Sequence, residues 1–421
     1  MAQTMTMRLV RCGAAGTRVK CAAVVMLIAV GALLLLAGPA SAFSDVSSSN
    51  PYYVQIQVMS QLGVVDGFPD GSFRPGAEVT RQQFAKMLVL SMRIPVSELD
   101  TCAFSDVQLS GPNSLYPDNY IAALSRDGIV TGVTPIATSG LFKPGDKISL
   151  AQLITMCTRA SGRTLVEPPA SYKCTWGNFG APHWAISRKA QYNGLLREFP
   201  LSGMNPWRAA TRAEAAALLF NLMGTDPEAV CGRFLGNSSD LVRYFRKAVP
   251  YGEKFSVSVE ELARLYDIYG RRFGIRADVA WVQMCHETGF GRYGYYSGGQ
   301  WISGDVKPEQ NNFAGIGATG GGVPGNTFAT AELGVIAQIV HLAWYVYPDH
   351  FDDAYCRMVS VPSLDTPITI PGDPRHFVWG GCPHRGDART VLDLAGKWAV
   401  GSSYGTALKS MMAQVPVTCG W

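Results

Sequence analysis

One acid inside an apolar helix is the first residue in this chain with chemistry to offer. From Ala277 to Thr288 the sequence carries Val279, Ala280, Trp281, Val282, Met284 and Cys285, apolar nearly all round, which predicts a buried helix. Glu287 is the only acid deep in it, beside Gly289, and Gln283 lies four residues earlier on the same face. Burial and the negative end of the helix dipole both disfavour a carboxylate, so Glu287 is expected to have the raised pKa of a general acid. The structural alternative is a glutamate held by backbone or by Arg292. Cys285 and His286 flank it, but adjacent helix residues point apart. They are not expected to pair as nucleophile and base, and Cys285 reads as a core thiol or a disulfide partner.

Two arginines form the second group. Thr80-Arg81 and Thr211-Arg212 each open a helical run with a hydroxyl residue fit to cap it. Thr211 and Glu214 also have capping-box spacing. A cation in the first turn is poorly placed against the helix dipole. Such an arginine is either solvated or kept for an acidic ligand, whose carboxylate its planar fork can hold by two parallel bonds.

The elements that must carry these residues repeat. Phe43-Ser44-Asp45-Val46 recurs as Phe104-Ser105-Asp106-Val107, and each is followed by an apolar run and a short glycine-bounded string, Gly63 to Gly67 and Gly128 to Gly132. A turn comes next, Pro69 to Gly76 and Leu141 to Gly145, and then a second helix through Met92 or Ala160. A weaker third copy has Trp184 to Ala190, Gly194-Leu195-Leu196 and a helix through Met223. Thr80, Ser149 and Thr211 are spaced by 69 and 62 residues, the mark of a helical repeat array.

These strings resemble S-layer-homology domains, in the F-S-D-V starts, the G-F-x-D-G-x-F-x-P turn and the T-R-x-E helix start. The resemblance covers roughly residues 43–223 and implies a three-lobed module that binds an acidic, often pyruvylated, secondary wall polysaccharide. It carries binding roles to Thr80, Arg81, Thr211, Arg212 and Glu214. Only the third copy keeps the whole Thr211-Arg212-Ala213-Glu214 motif. The first continues Gln82-Gln83, and the second, Ser149-Leu150-Ala151-Gln152, has no arginine.

The second half resembles another family. Gln283-Met284-Cys285-His286-Glu287-Thr288-Gly289 is similar to the Q-x-x-x-E-[ST]-G signature of glucosaminidases, and Asn311 to Ala318 to their N-N-x-x-G-I-G-A segment. Asp373-Pro374-Arg375 and Ala395-Gly396-Lys397-Trp398-Ala399 look like the C-terminal part of the endo-acting branch. The resemblance implies a lysozyme-like, mainly helical domain with a small loop or hairpin lobe, with Glu287 as the acid. Gln283 and Asn312 are expected at the substrate, as are Phe313, Trp398 and Tyr404, whose rings can stack on sugars. The aromatics Tyr293, Tyr295, Tyr296 and Trp301 are further candidates for the cleft wall, whereas Trp344 and Tyr345 read as core. A partner carboxylate would stand ~5–5.5 Å away in a retaining enzyme or ~6.5–9.5 Å in an inverting one. Asp305 and Glu309 are equal candidates, and the substrate acetamido oxygen can replace both. Glu332 reads as an N-terminal dipole partner.

Residues 1–42 read as a secretory signal: Arg8, Arg11, Arg18 and Lys20, an apolar run from Ala22 to Ala37, then Ala40-Ser41-Ala42. Without it, the 36 basic residues fall to 32 against 32 acids, so overall charge asks for neither nucleic acid nor an anionic membrane. Of ten cysteines eight remain, four in each half, and export permits disulfides. No zinc spacing occurs, and no metal or cofactor is expected. The organisation expected is therefore mainly α. Repeats occupy 43–100, 101–165 and 166–224, a linker 225–255, and a catalytic domain 256–421, acting on peptidoglycan glycan strands at the cell surface. The rival readings are a lytic transglycosylase or muramidase, and a non-catalytic S-layer component.

Overall fold

The computed structural model describes residues 43–133, 140–318, 321–347, 384 and 386–420. The expected export signal, Asp373-Pro374-Arg375, Cys356 and Cys382 lie outside the described residues. The described chain is mainly α: eleven α-helices and one two-stranded hairpin.

The first half holds three helix pairs in chain order. They are α1 (Tyr53–Gln61) with α2 (Arg81–Met92), α3 (Asp118–Arg126) with α4 (Leu150–Arg159), and α5 (His183–Tyr192) with α6 (Arg212–Met223). The pairs interlock: α3 packs on α2, α5 on α4, and α1 closes on α6. Thr80, Ser149 and Thr211 cap the second helices, and Gln83, Gln152 and Glu214 return the bond to each cap N–H. The capping box expected only at Thr211 forms three times, because a glutamine amide oxygen accepts that N–H as a carboxylate does.

Donors left over at each helix start find carbonyls in another pair. The N–H groups of Gln82, Ala151 and Ala213 donate to the carbonyls of Pro144, Pro206 and Pro75 at 3.0, 2.9 and 3.1 Å. Removing one pair would strand the donors of its neighbour. The repeated Phe-Ser-Asp-Val strings have a matching purpose. Asp45 accepts from Phe73 N and Arg74 N, both at 2.7 Å, and Asp106 accepts from Phe142 N at 2.8 Å and Lys143 N at 2.7 Å.

The second half is built on α8 (Val259–Phe273), with α7 (Ser238–Ala248), α9 (Ala277–Glu287) and α10 (Ala331–Val346) packed on it and α11 (Tyr404–Met412) on α9. Trp281 of α9 is fully buried, edge-on to Tyr266 at 5.4 Å. At the head of α8 a capping box is half formed: Ser258 accepts from Glu261 N, but the Glu261 carboxylate turns to Arg264 at 2.8 and 2.7 Å. The hairpin is β1 (Gly294–Ser297) and β2 (Gln300–Ser303), antiparallel with Gly294 opposite Ser303.

The first part of the stretch expected as a linker is interior. Ala229 to Leu235 are buried, Cys231 pairs with Ile275, and Ala229 pairs with Thr390. Arg276, also buried, holds Asp278 at 2.6 Å and donates to the carbonyl of Asp226, whose carboxylate pairs with Arg93 at 2.5 Å. Gly274 ends α8 at φ +66°, where a Cβ would lie 2.4 Å from Val58 Cγ2 of α1. Only glycine allows both that backbone turn and that approach.

Candidate functional site

Glu287 is the last residue of α9, and its side chain is exposed at the helix end. The expectation of a buried acid is therefore corrected. The helix is buried through Cys285, but His286 and Glu287 at its end are exposed. Arg292 makes no ion pair with it and is exposed.

Two donors converge on one oxygen of this carboxylate. Tyr404 Oη donates to Glu287 Oε1 at 2.6 Å, and Trp398 Nε1 reaches the same atom at 3.2 Å. Behind them runs a buried chain of hydrogen bonds. Tyr266 Oη donates to Gln338 Oε1 at 2.5 Å, Gln338 Nε2 to Gln283 Oε1 at 2.9 Å, and Gln283 Nε2 to Tyr404 Oη at 3.0 Å. Each link uses its donor toward the next, so the Tyr404 proton is directed at Glu287. Burial first, then the charge of Glu287, pushes the Tyr404 hydroxyl pKa well above the ordinary tyrosine value, so it stays a donor. Nothing in the sequence assigns Gln338 or Tyr266 to the site. They lie on α10 and α8, and no local spacing links them to Glu287.

The remaining expected residues divide by burial. Gln283 is fully buried, and Asn312 and Phe313 are 1% exposed, so their contacts are with protein. Asn312 organises its own loop: Nδ2 donates to the carbonyls of Ile316 and Asn326, and Oδ1 accepts from Ile316 N at 3.0 Å. That loop passes close to the acid, since a Cβ on Gly315 would lie 3.8 Å from Glu287 Oε2. Trp398 is packed against His341 (4.7 Å between ring centroids) and Tyr345 (5.6 Å), leaving its N–H for Glu287. Tyr295 and Trp301 on the hairpin are exposed, and Tyr293 is buried. The hairpin returns the chain to Gly304, whose N–H donates to Tyr293 O at 2.8 Å, so half-exposed Asp305 follows directly on the strand beside the α9 end. Glu309 sits exposed on a short 3-10 turn, Pro308–Gln310. Glu332, in the first turn of α10, accepts from Tyr269 Oη. Cys285 is a buried thiol.

In the helix pairs the two arginines occupy equivalent places. Arg81 Nε donates to Phe142 O at 2.7 Å with its guanidinium 4.5 Å above the Phe142 ring, and Arg212 Nε donates to Phe73 O at 2.8 Å with the same 4.5 Å stacking on Phe73. Neither is a solvated arginine: Arg81 is 5% exposed and Arg212 half-buried. Leu150 stands at the third place and is fully buried. Thr80 and Thr211 spend their hydroxyls on caps, and Glu214 is held by Arg208 and by Thr211 N. Arg81 lines a cavity of about 320 Å³, which Arg159 and His183 line as well.

Residues 42–85 match the S-layer homology domain. A Borreliella burgdorferi protein described only as uncharacterized is 31% identical over 176 residues, 42% of this chain and 71% of that protein. The chain belongs to that protein's family. An uncharacterized cell wall amidase of Bacillus anthracis is 24% identical over 158 residues, 37% of this chain and 27% of the relative. The S-layer protein sap of Bacillus anthracis is 23% identical over 197 residues, 45% of this chain and 22% of the relative. The chain thus spans less than a third of either Bacillus protein. It is a secreted protein of the cell surface or cell wall, carrying an S-layer homology domain at its start.

Proposed function

We propose that this protein is a wall-attached hydrolase that cuts β-1,4 bonds of peptidoglycan glycan strands as an endo-β-N-acetylglucosaminidase, with Glu287 as general acid. The observation that carries the reading is the paired donation of Tyr404 and Trp398 to Glu287 Oε1. Those two bonds fix the carboxyl group through Oε1, and Oε2, on the Gly315 side, is the oxygen assigned to carry the proton to the glycosidic oxygen. Because Glu287 is open to solvent, the glycan itself must exclude water from it, and exposed Tyr295 and Trp301 offer stacking faces for that purpose. As the bond breaks, positive charge develops at the anomeric carbon. Either the substrate acetamido oxygen or the carboxylate of Asp305 meets it, and water then completes hydrolysis. Asp305 is preferred to Glu309 because it follows the hairpin strand directly.

Attachment is assigned to the three interlocked helix pairs, read as three S-layer-homology repeats holding an acidic wall polysaccharide through Arg81 and Arg212. The matched domain at 42–85 and the S-layer relatives support this. The amidase relative supports a wall hydrolase more broadly. Product analysis on purified peptidoglycan separates the possibilities. New reducing N-acetylglucosamine ends support the reading. Anhydro-muramic or reducing muramic ends would replace it with a transglycosylase or muramidase, new amino groups with an amidase, and no product with a structural wall protein.

A further inference from the structure

The cavity between α2, α4 and α5 is lined by basic side chains from three helices. Arg81 comes from α2, Arg159 from the end of α4, and His183 from the first position of α5. Its other walls are Ile129 to Val133, Gln152, Thr155, Met156 and Pro182, so no carboxylate lines it among the described residues. Arg81 makes one hydrogen bond, from Nε to Phe142 O, and Arg159 one, from Nη1 to Ile129 O at 3.3 Å; neither forms an ion pair with any described residue. Arg81 is 5% exposed, and the nearby charges of Asp146 and Asp106 offset its burial only in part, so an anionic ligand at the guanidinium is favoured.

The tautomer of His183 follows from its partner. Thr155 Oγ1 stands 2.8 Å from Ala151 O, which can only accept, so the threonine proton is committed there. The 2.6 Å contact between Thr155 Oγ1 and His183 Nδ1 then requires Nδ1–H to donate, and the basic lone pair is on Nε2. Burial, Arg159 and Arg81 all push the His183 pKa below its ordinary value, and the helix N-terminus acts in the same sense, so His183 is a neutral imidazole at neutral pH. Trp207, edge-on at 5.5 Å, adds no charge.

We propose that an acidic sugar ligand in this cavity takes His183 as a third cationic contact beside Arg81 and Arg159, and that binding takes up one proton at His183 Nε2. This rests on the wall-attachment reading and adds a residue outside the Thr-Arg motif. A carboxylate ligand stays ionised to about pH 4. It stabilises the imidazolium and raises the His183 pKa, so affinity rises as pH falls through the neutral range and levels off below the free-protein pKa.

The test is calorimetric titration of the secreted chain with a methyl hexopyranoside bearing a 4,6-pyruvate ketal, at pH 5.5 and 7.5. Proton uptake is counted at pH 6.5 in two buffers of different ionisation enthalpy, and co-sedimentation with purified cell walls is measured in parallel. Wild type should bind several-fold tighter at pH 5.5, within the limit of about tenfold that a one-unit pKa rise on binding sets, with measurable proton uptake. His183→Gln, still folded by circular dichroism, should bind with flat pH dependence and no uptake. A flat wild type, a His183→Gln variant as pH-dependent as wild type, or no ketal binding by a chain that sediments with walls would overturn the inference and leave wall attachment standing. A chain that fails to sediment with walls at either pH would overturn both.

Discussion

Tyr404 Oη donates to Glu287 Oε1 across 2.6 Å, joining the first residue of α11 to the last residue of α9. The two helices meet 117 residues apart in sequence, and the bond is where that packing reaches the proposed chemistry. Replacing Tyr404 by Phe keeps the ring and removes the donor. A hydrogen bond to a charged group contributes about 1.5–3 kcal/mol, so kcat should fall about ten- to a hundredfold with KM little changed. Steady-state kinetics on a defined glycan oligomer measures it, and an unchanged kcat would remove Tyr404 from the account.

Gln338 lies deeper in the same chain and touches no solvent. It accepts from Tyr266 and donates to Ala280 O and Gln283 Oε1. Gln338→Leu strands three buried polar groups, so a stability loss of about 1–3 kcal/mol or more is expected, seen in urea unfolding. Activity should also fall at temperatures where the variant remains folded, because Gln283 no longer orients Tyr404. Full activity in a destabilised variant would show that the chain supports the fold alone.

What the sequence disclosed tracks how local each signal was. The helix holding Glu287 was legible because apolar residues run from Val279 to Cys285, and its observed limits differ by one residue. The caps at Thr80, Ser149 and Thr211 were legible because hydroxyl residues precede helical runs. The exposure of Glu287 was not, since a run of apolar neighbours does not say where a helix leaves the core. Nor was the third turn, where Asn205-Pro206-Trp207 lacks the Phe and Gly of the other two yet supplies the same proline carbonyl. The buried linker escaped for a related reason. Gly232 and Gly236 suggest a loop by composition, but a Cβ on them would meet Met223 Cβ at 3.0 Å and Phe234 Cζ at 2.3 Å, so they are close-packing glycines.

Arg81 and Arg212 stack alike on Phe142 and Phe73. Each single change to Gln should weaken retention on purified walls, and the double change should abolish it. Arg→Lys should rescue poorly, because an ammonium lacks the planar fork that stacks and donates in parallel. Co-sedimentation measures the loss. Retention equal to wild type in the folded double variant would move attachment elsewhere on the molecule.

Gly274 bears on how the two halves hold together. Gly274→Ala puts a methyl 2.4 Å from Val58 Cγ2 and 2.8 Å from Tyr347 Oη, at φ +66°. A loss of about 1–3 kcal/mol is expected from overpacking alone, read as a lower Tm for the whole chain. Loss confined to one of two separate transitions would instead show halves that unfold independently.

The most direct measurement is mass spectrometry of product ends released from purified peptidoglycan by the secreted chain and by Glu287→Gln. The account predicts reducing N-acetylglucosamine ends from wild type and a loss of at least about a hundredfold in the variant, the lower bound of general-acid catalysis. Equal release by both proteins, or no glycan cleavage by wild type, would contradict it.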